Sequence, residues 1–290
     1  NTIYYALIMT AVVMFGFQFL VSQKFAKHTG SGARAALIFQ IGSNVCGLIV
    51  ISAVSMIRNG GVTFGGVSLF TLLMAALSAC NSIAYTICSL KSLGRINLSL
   101  YSVFSMLGGM VLPFILGVCF FDEGMSFGKL LSAALITSAL AVTVKPGEGK
   151  TSVGYYTGVF VLNGMSGVIS KLYQSAPFEK ADEYGYMLLC AAVSAVISAA
   201  ALLFVKGEYK KPDRAAAGAM GICGTLSYAG NLILLIALAH VPASAQYPLV
   251  TGGVMAVSTL LCFFTDKKPT HRELISVALS VCGIFAMILI

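Results

Sequence analysis

Ten carboxylates are available for acid–base or ion-coupling chemistry in this chain: Asp122, Glu123, Glu148, Glu179, Asp182, Glu183, Glu208, Asp213, Asp266 and Glu273. Each falls in or beside a polar break between long apolar runs, and none stands in the middle of a run. An ionisable group at bilayer depth is costly and marks function when it occurs. Exchange of protons or cations on a buried carboxylate therefore has no central residue here. What the runs do hold is neutral. Gln18, Gln40, Asn44, Asn81, Asn163, Asn231 and Gln246 supply amides, and Tyr85, Tyr101, Tyr228 and Tyr247 supply rings with hydroxyl tips. An amide is donor and acceptor at once, which suits a neutral or zwitterionic solute exchanging water for protein hydrogen bonds. The same groups can serve as glue between helices, worth about 0.6 kcal/mol per bond in a membrane bundle.

Other chemistries lack their residues. No HExxH, paired carboxylates, Ser/His/Asp set or GxxxxGK[ST] loop is present, so hydrolytic, phosphoryl-transfer and ATP-driven mechanisms have no support. The eight cysteines lie inside apolar runs without CxxC spacing and read as small buried hydrophobes, with no metal and no cofactor expected. Lys91, Arg95, Lys171 and His240 stand at the ends of runs, where long basic side chains reach back to the interface. Lys171 is the exception worth testing, since it lies on the poorly charged side and could meet a substrate carboxylate.

The elements that position these groups follow from composition. The chain is 58% hydrophobic and 10% charged, too apolar for water to be its solvent. A helix needs about 20 apolar residues to cross a bilayer, and on that ruler the runs are 3–23, 35–57, 67–90, 97–121, 128–144, 153–174, 184–205, 216–239, 243–265 and 273–290. The fold class expected is all-α, an integral membrane protein of ten transmembrane helices. The net charge of +8 belongs to short loops, so membrane orientation explains it and no nucleic-acid partner is expected. The first run has no basic flank before it and reads as a retained span; the absence of an initial Met predicts that some sequence precedes Asn1.

The ten spans divide into two sets of five, 1–146 and 151–290. Both open on a Tyr-Tyr pair (Tyr4-Tyr5, Tyr155-Tyr156), and both carry Gly-Gly in the fourth span (Gly108-Gly109, Gly252-Gly253) followed by Cys-Phe-Phe (Cys119 to Phe121, Cys262 to Phe264). Five crossings end on the opposite side from where they began, so tandem copies insert upside down relative to each other. Such a repeat brings Asn81 and Asn231, at matching places in spans three and eight, to a shared axis. Pro113 and Pro248 recur in spans four and nine; each removes a backbone hydrogen bond beside a Gly-Gly, making Pro113, Pro248, Gly108, Gly109, Gly252 and Gly253 candidate hinges. Gly154 and Gly158 form a GxxxG, and Gly218, Gly221 and Gly224 a small-residue ridge, both suited to close helix packing. Fourteen of the 18 Lys and Arg lie in loops 1–2, 3–4, 5–6, 7–8 and 9–10. The positive-inside rule places those loops in the cytoplasm and both termini outside.

With the 5 + 5 plan, the Ala-Leu-x-x-x-Pro-Ala-Ser-x-x-Tyr-Pro-Leu run at Ala237 to Leu249, and the Phe-Phe-acid ends of spans four and nine, the chain resembles the EamA-like ten-span members of the drug/metabolite transporter superfamily over nearly its whole length. It departs from the family at Asp266, where Gly-Glu is usual, and in the charge bias, since the family's termini are usually cytoplasmic. The resemblance implies a central cavity lined by spans 1–4 and 6–9, with spans 5 and 10 as outer supports. The function expected is secondary-active or facilitative transport of a small polar metabolite, amino-acid- or nucleobase-like, by alternating access. The substrate contacts expected are Asn81, Asn231, Gln18, Tyr85, Tyr228, Tyr101, Tyr247, Asn163 and Lys171. An exporter of hydrophobic or quaternary ammonium cations, held by Tyr and Phe since Trp is absent, is the alternative; a lipid-handling membrane protein or membrane enzyme is the alternative of another class. The partners expected are a small-molecule substrate and the lipid bilayer of a bacterial inner membrane, and one chain holding both repeats predicts a monomer.

Overall fold

The computed structural model describes residues 2–62, 64, 66–95, 98–120, 127–143, 150–206, 212–238, 240–241, 243–265 and 268–289. Among these residues the chain is all-helical: α1 (Thr2–Thr29), α2 (Ala33–Asn59), α3 (Leu69–Leu93), α4 (Leu98–Phe120), α5 (Phe127–Thr143), α6 (Lys150–Ser175), α7 (Glu183–Phe204), α8 (Arg214–Leu238), α9 (Ala243–Cys262) and α10 (His271–Leu289). Each helix matches one of the ten apolar runs to within a few residues, except that α1 continues to Thr29, past its run's end. Five of them (α1, α2, α3, α7 and most of α8) are long and apolar enough to cross a membrane, by length and composition.

The distribution of side chains is that of a protein solvated by lipid. Phe264 is 88% exposed and Ile57 85%, with Leu203 and Phe204 close behind, while Ser55, Ser99, Ser102, Ser105, Ser198, Ser258, Ser276 and Ser280 are fully buried. Hydrocarbon is as apolar as leucine, so burying leucine gains little there, and helices associate through small and hydrogen-bonding residues. The chain is a membrane-embedded helical protein.

Helix ends are set by local chemistry. The Ser68 hydroxyl accepts from Thr71 N–H at 3.2 Å to start α3, Asp182 accepts from Gly185 N–H at 2.7 Å to start α7, and Asp213 accepts from Ala216 N–H at 2.9 Å to start α8. Thr270 and Glu273 form a reciprocal capping box at α10, with Thr270 N–H on Glu273 Oε2 at 2.9 Å and Glu273 N–H on Thr270 Oγ1 at 3.4 Å. Three of the ten acids thus cap helices. α2 stops at Gly60, whose φ of 71° is the left-handed conformation that glycine adopts without strain.

The chain forms two compact units that interleave the halves. The first comprises residues 1–20, 95–168 and 230–290; the second comprises 21–94 and 169–229. In the first unit, α5 packs on α10, α4 on α9 and α9 on α10; in the second, α2 packs on α7 and α3, and α3 on α7.

Two helix contacts in the first unit need glycine. A Cβ at Gly108 would land on the backbone of Phe160, one at Gly164 would lie 2.6 Å from the Gly108 carbonyl oxygen, and one at Gly167 2.6 Å from the Pro113 ring, so α4 and α6 meet main chain to main chain. α1 and α9 meet likewise: Gly16 faces Val257, and a Cβ at Gly253 would lie 2.8 Å from Val12. In both contacts residue numbers rise together along the two helices, so each pair is parallel.

Candidate functional site: a buried amide–hydroxyl network

In the second unit, α2 carries Gln40 and Asn44 one turn apart, α3 carries Ser78, Ser82 and Thr86 at four-residue spacing, and α7 carries Tyr186, Cys190, Ser194 and Ser198 at the same spacing. Residues four apart share a helix face, and α2, α3 and α7 pack on one another. The polar stripes therefore meet inside the unit.

Their hydrogen bonds form one connected set. Gln40 Nε2 donates to Ser82 Oγ at 2.7 Å and to Ser194 Oγ at 3.0 Å, while Thr86 Oγ1 donates to Gln40 Oε1. Asn44 Nδ2 donates to the same Ser194 Oγ at 2.9 Å, and the Tyr228 hydroxyl of α8 donates to Asn44 Oδ1 at 2.8 Å. Gln40, Asn44 and Ser194 are 6%, 3% and 2% exposed, so their polar atoms depend on each other rather than on solvent. Every member is neutral. Four helices converge on a donor–acceptor array that has no charged member.

Glycine makes room for the array. The Tyr228 ring lies where a Cβ of Gly47 would be, and a Cβ at Gly224 would strike the backbone of Ser43, so α8 is drawn against α2 and the phenol reaches Asn44. Ser43 Oγ bonds the Met220 carbonyl at 3.3 Å along the same contact. Of the glycine ridge expected on α8, Gly224 makes the tight contact, Gly221 an ordinary one with Cys46, and Gly218 has nothing within 4 Å.

Both ends of this unit are tied. At one end His28 meets Asp213 at 2.8 Å and Arg34 donates to the Val205 carbonyl at 3.4 Å, joining loops 1–2 and 7–8. At the other, Ser68 Oγ donates to the Glu179 carbonyl, Ala181 N–H to Thr71 Oγ1 at 3.1 Å, and Arg58 to the Tyr184 hydroxyl at 3.1 Å, joining loops 2–3 and 6–7. There Tyr173 stacks on Tyr186 (centroids 3.8 Å apart, 11° between planes) and on Phe70 (5.9 Å), with its hydroxyl on the Ala181 carbonyl at 2.9 Å. Lys180 reaches back to the Tyr173, Gln174 and Ala176 carbonyls at the C-terminus of α6, where a cation suits the helix dipole.

The residues singled out from sequence divide as follows. Tyr228 is in the network. Asn81 and Tyr85 are half-buried on α3, and Lys171 half-buried on α6, all in the second unit; Asn231 is exposed on α8, in the first. Also in the first unit, Gln18 is half-buried on α1, Tyr101 is buried edge-on to Phe19 (5.0 Å, 87°), and Asn163 donates to the Ser105 carbonyl at 2.6 Å. Of the hinge candidates, Gly108, Gly109, Pro113 and Gly253 lie in the α4/α6 and α1/α9 contacts and Gly252 is half-buried on α9. Gly154 has nothing within 4 Å, so the close contact of α6 is made by Gly164 and Gly167 instead. Tyr247, Pro248 and Gln246 fall on α9 with side chains outside the described residues, as do Asp122, Glu123, Glu148, Glu208 and Asp266 altogether. Ser82, Thr86 and Ser194 were not anticipated. The signal was present as four-residue spacing of hydroxyls on α3 and α7, but serine is so frequent in these helices that spacing alone does not single it out.

No family model matches this chain, and no curated protein does. The fold has solved counterparts: one protein crystal structure aligns with a TM-score of 0.62 at 15% identity, covering 98% of this chain and 96% of that one. At that identity the likeness carries the helical fold and no activity.

Proposed function

We propose that this protein is a ten-span transporter made of two inverted five-helix repeats, of the drug/metabolite transporter kind, which moves a small polar solute of amino-acid or nucleobase type by alternating access. The observation that carries the reading is a set of contacts related by two numbering shifts, one for each pair of matching helices. Gly16 faces Val257 as Gly167 faces Pro113, and Gly253 faces Val12 as Gly109 faces Asn163. Adding 151 takes Val12 and Gly16 to Asn163 and Gly167; adding 144 takes Gly109 and Pro113 to Gly253 and Val257. Two halves folded alike and paired about a pseudo-twofold axis account for this.

The neutral network supports the solute class. Asn44 and Ser194, which bond each other, differ by 150, the same shift that relates Asn81 to Asn231. A residue pairs with its own counterpart only near the axis, where inverted-repeat transporters hold substrate. With no carboxylate in the middle of a span, transport runs by facilitation or exchange. Loops 1–2, 3–4, 5–6, 7–8 and 9–10 face the cytoplasm of a bacterial inner membrane, following the basic residues.

A melting screen of the purified protein against neutral amino acids, nucleobases and quaternary amines tests this, since a ligand that binds only the folded state raises the melting temperature. Stabilisation by members of the first two classes, followed by their uptake into proteoliposomes, is expected. Stabilisation by quaternary amines alone would replace the reading with a cation exporter.

A further inference from the structure

The helix that opens the chain outlasts its apolar run and continues to Thr29. Its 28 residues reach about 42 Å at about 1.5 Å per residue, past a hydrocarbon core of about 30 Å and into the headgroup layer. This last stretch has two faces. Phe25, Ala26 and Thr29 are buried, with the Phe25 ring tilted on Phe39 of α2 at 4.7 Å. Lys24, Lys27 and His28, spaced to share a helix face, are exposed. Loop 7–8 lies beside that face, because His28 Nε2 meets Asp213 Oδ2 at 2.8 Å and Arg34 donates to the Val205 carbonyl. It brings the exposed Lys206 and Arg214. The end of α3 is there too, since a Cβ at Gly94 would lie 3.2 Å from Ser31, and Lys91 precedes it in the last turn. Among the described residues this end of the second unit therefore gathers six Lys and Arg (Lys24, Lys27, Arg34, Lys91, Lys206, Arg214) and one acid, Asp213. Both oxygens of that acid are already engaged, by the Ala216 amide and by His28. The opposite end of the unit sets Arg58, Lys171 and Lys180 against Glu179, Asp182 and Glu183, three cations to three acids.

We infer that the end of the second unit formed by loops 1–2 and 7–8 is a docking face for the headgroups of anionic phospholipids. Its cations stand at headgroup depth, where a phosphate diester is the abundant anion, and each Lys or Arg beside a negatively charged membrane surface adds to the attraction. A guanidinium fork matches phosphate oxygens, and a lysine ammonium supplies a point charge. Two simpler accounts fall short. A cation suits the last turn of a helix, which covers Lys27 and Lys91. Arg34 and Arg214 instead stand in the first turns of α2 and α8, where the dipole opposes them and where it adds to the pull on an anion. Membrane orientation needs basic residues near the span ends, but not an exposed cationic helix face joined to a second loop. The docking face does not rest on the transport reading; on the proposed orientation its lipids are those of the cytoplasmic leaflet.

Native mass spectrometry of the whole protein, released from micelles holding equimolar dioleoyl phosphatidylglycerol and dioleoyl phosphatidylcholine, counts the lipids it keeps. The wild type should retain phosphatidylglycerol in excess, and the excess should fall as salt rises toward about 1 M, where charges are screened beyond about 3 Å. Lys24→Gln, Lys27→Gln, Lys206→Gln and Arg214→Gln together should remove the preference, each neutralisation weakening it about fivefold. The charge-keeping set Lys24→Arg, Lys27→Arg, Lys206→Arg and Arg214→Lys should preserve it. Arg58→Gln with Lys171→Gln, at the balanced end, should leave it intact. The melting temperature in phosphatidylcholine alone checks that each variant is folded. If the quadruple variant does not fold, the four single Gln variants, each expected to lose about fivefold, carry the same test. Equal retention of the two lipids by the wild type, or a preference that survives neutralisation, would overturn the inference. Displacement of the retained phosphatidylglycerol by inorganic phosphate at equal concentration would overturn it as well, since the face would then be a site for a soluble anion.

Discussion

The side-chain amide of Asn44 donates to the hydroxyl of Ser194 across 2.9 Å, and the same Asn44 accepts from Tyr228 at 2.8 Å, so one buried residue ties α2 to both α7 and α8. Gln40, one turn earlier, repeats the arrangement toward α3 and α7. Removing one member leaves its partners buried with unmet hydrogen-bonding capacity, which costs more than the bond contributes.

Asn44→Ala should therefore destabilise the protein by about 1–3 kcal/mol, measured by reversible unfolding in mixed micelles. Combined with Ser194→Ala in a double-mutant cycle, the coupling should be about 0.6–1.7 kcal/mol. Strict additivity would mean that the two side chains do not share a bond.

Glycine substitutions should separate by environment. Gly108→Ala and Gly224→Ala each drive a methyl into backbone and should lower the melting temperature strongly. Gly154→Ala and Gly218→Ala meet nothing within 4 Å and should be neutral or stabilising by about 0.5–1 kcal/mol through helix propensity. Equal effects at all four sites would refute the α4/α6 and α2/α8 contacts.

Loops 1–2 and 7–8 share one end of the second unit, and loops 2–3 and 6–7 the other. In a background without native cysteines, Ser31→Cys should resist an impermeant thiol reagent in intact cells, and Glu179→Cys should label. The reverse pattern would invert the proposed orientation; labelling of both would break the arrangement of spans.

Asn81→Ala and Asn231→Ala should weaken solute binding by about 1–3 kcal/mol, a 5- to 150-fold rise in Kd, if both reach the solute path. Tyr228→Phe, which deletes the bond to Asn44, is the companion variant. Affinity and melting temperature should be read on the same preparations. A drop in stability with unchanged affinity would assign these side chains to packing alone.

Proteoliposomes loaded with a pH dye should show no proton movement when solute is added, because no carboxylate stands in the middle of a span. A stoichiometric proton signal abolished by Asp122→Asn or Glu123→Gln would place an acid in the solute path and end the facilitation model.

The helices were legible because their signal is coarse. A run of about 20 apolar residues bounded by Gly, Pro and charge is hard to mistake, and α2, α3 and α7 fall where the runs put them. The network was less legible, since it depends on which face each helix presents. Gln40 and Asn44 stood out as amides in an apolar run, but Ser82, Thr86 and Ser194 gain meaning only from their neighbours. Likewise Gly154 and Gly158 fit a packing motif better than Gly164 and Gly167, yet the second pair meets α4, because a motif records spacing and not the rotation of a helix about its axis.

The parts of this molecule differ in how much change they can absorb. Where α4 meets α6 and α8 meets α2, one partner contributes main chain and the other glycine, so no compensating replacement exists on the far side. Every missense change at a glycine adds a side chain. The lipid-facing Ile57, Leu203, Phe204 and Phe264 can trade among apolar residues freely. A library of random variants sorted for folded protein should therefore be depleted at Gly108, Gly164 and Gly224 far more than at those large residues, an inversion of the pattern in water-soluble proteins, where bulky apolar side chains are the ones most sharply constrained.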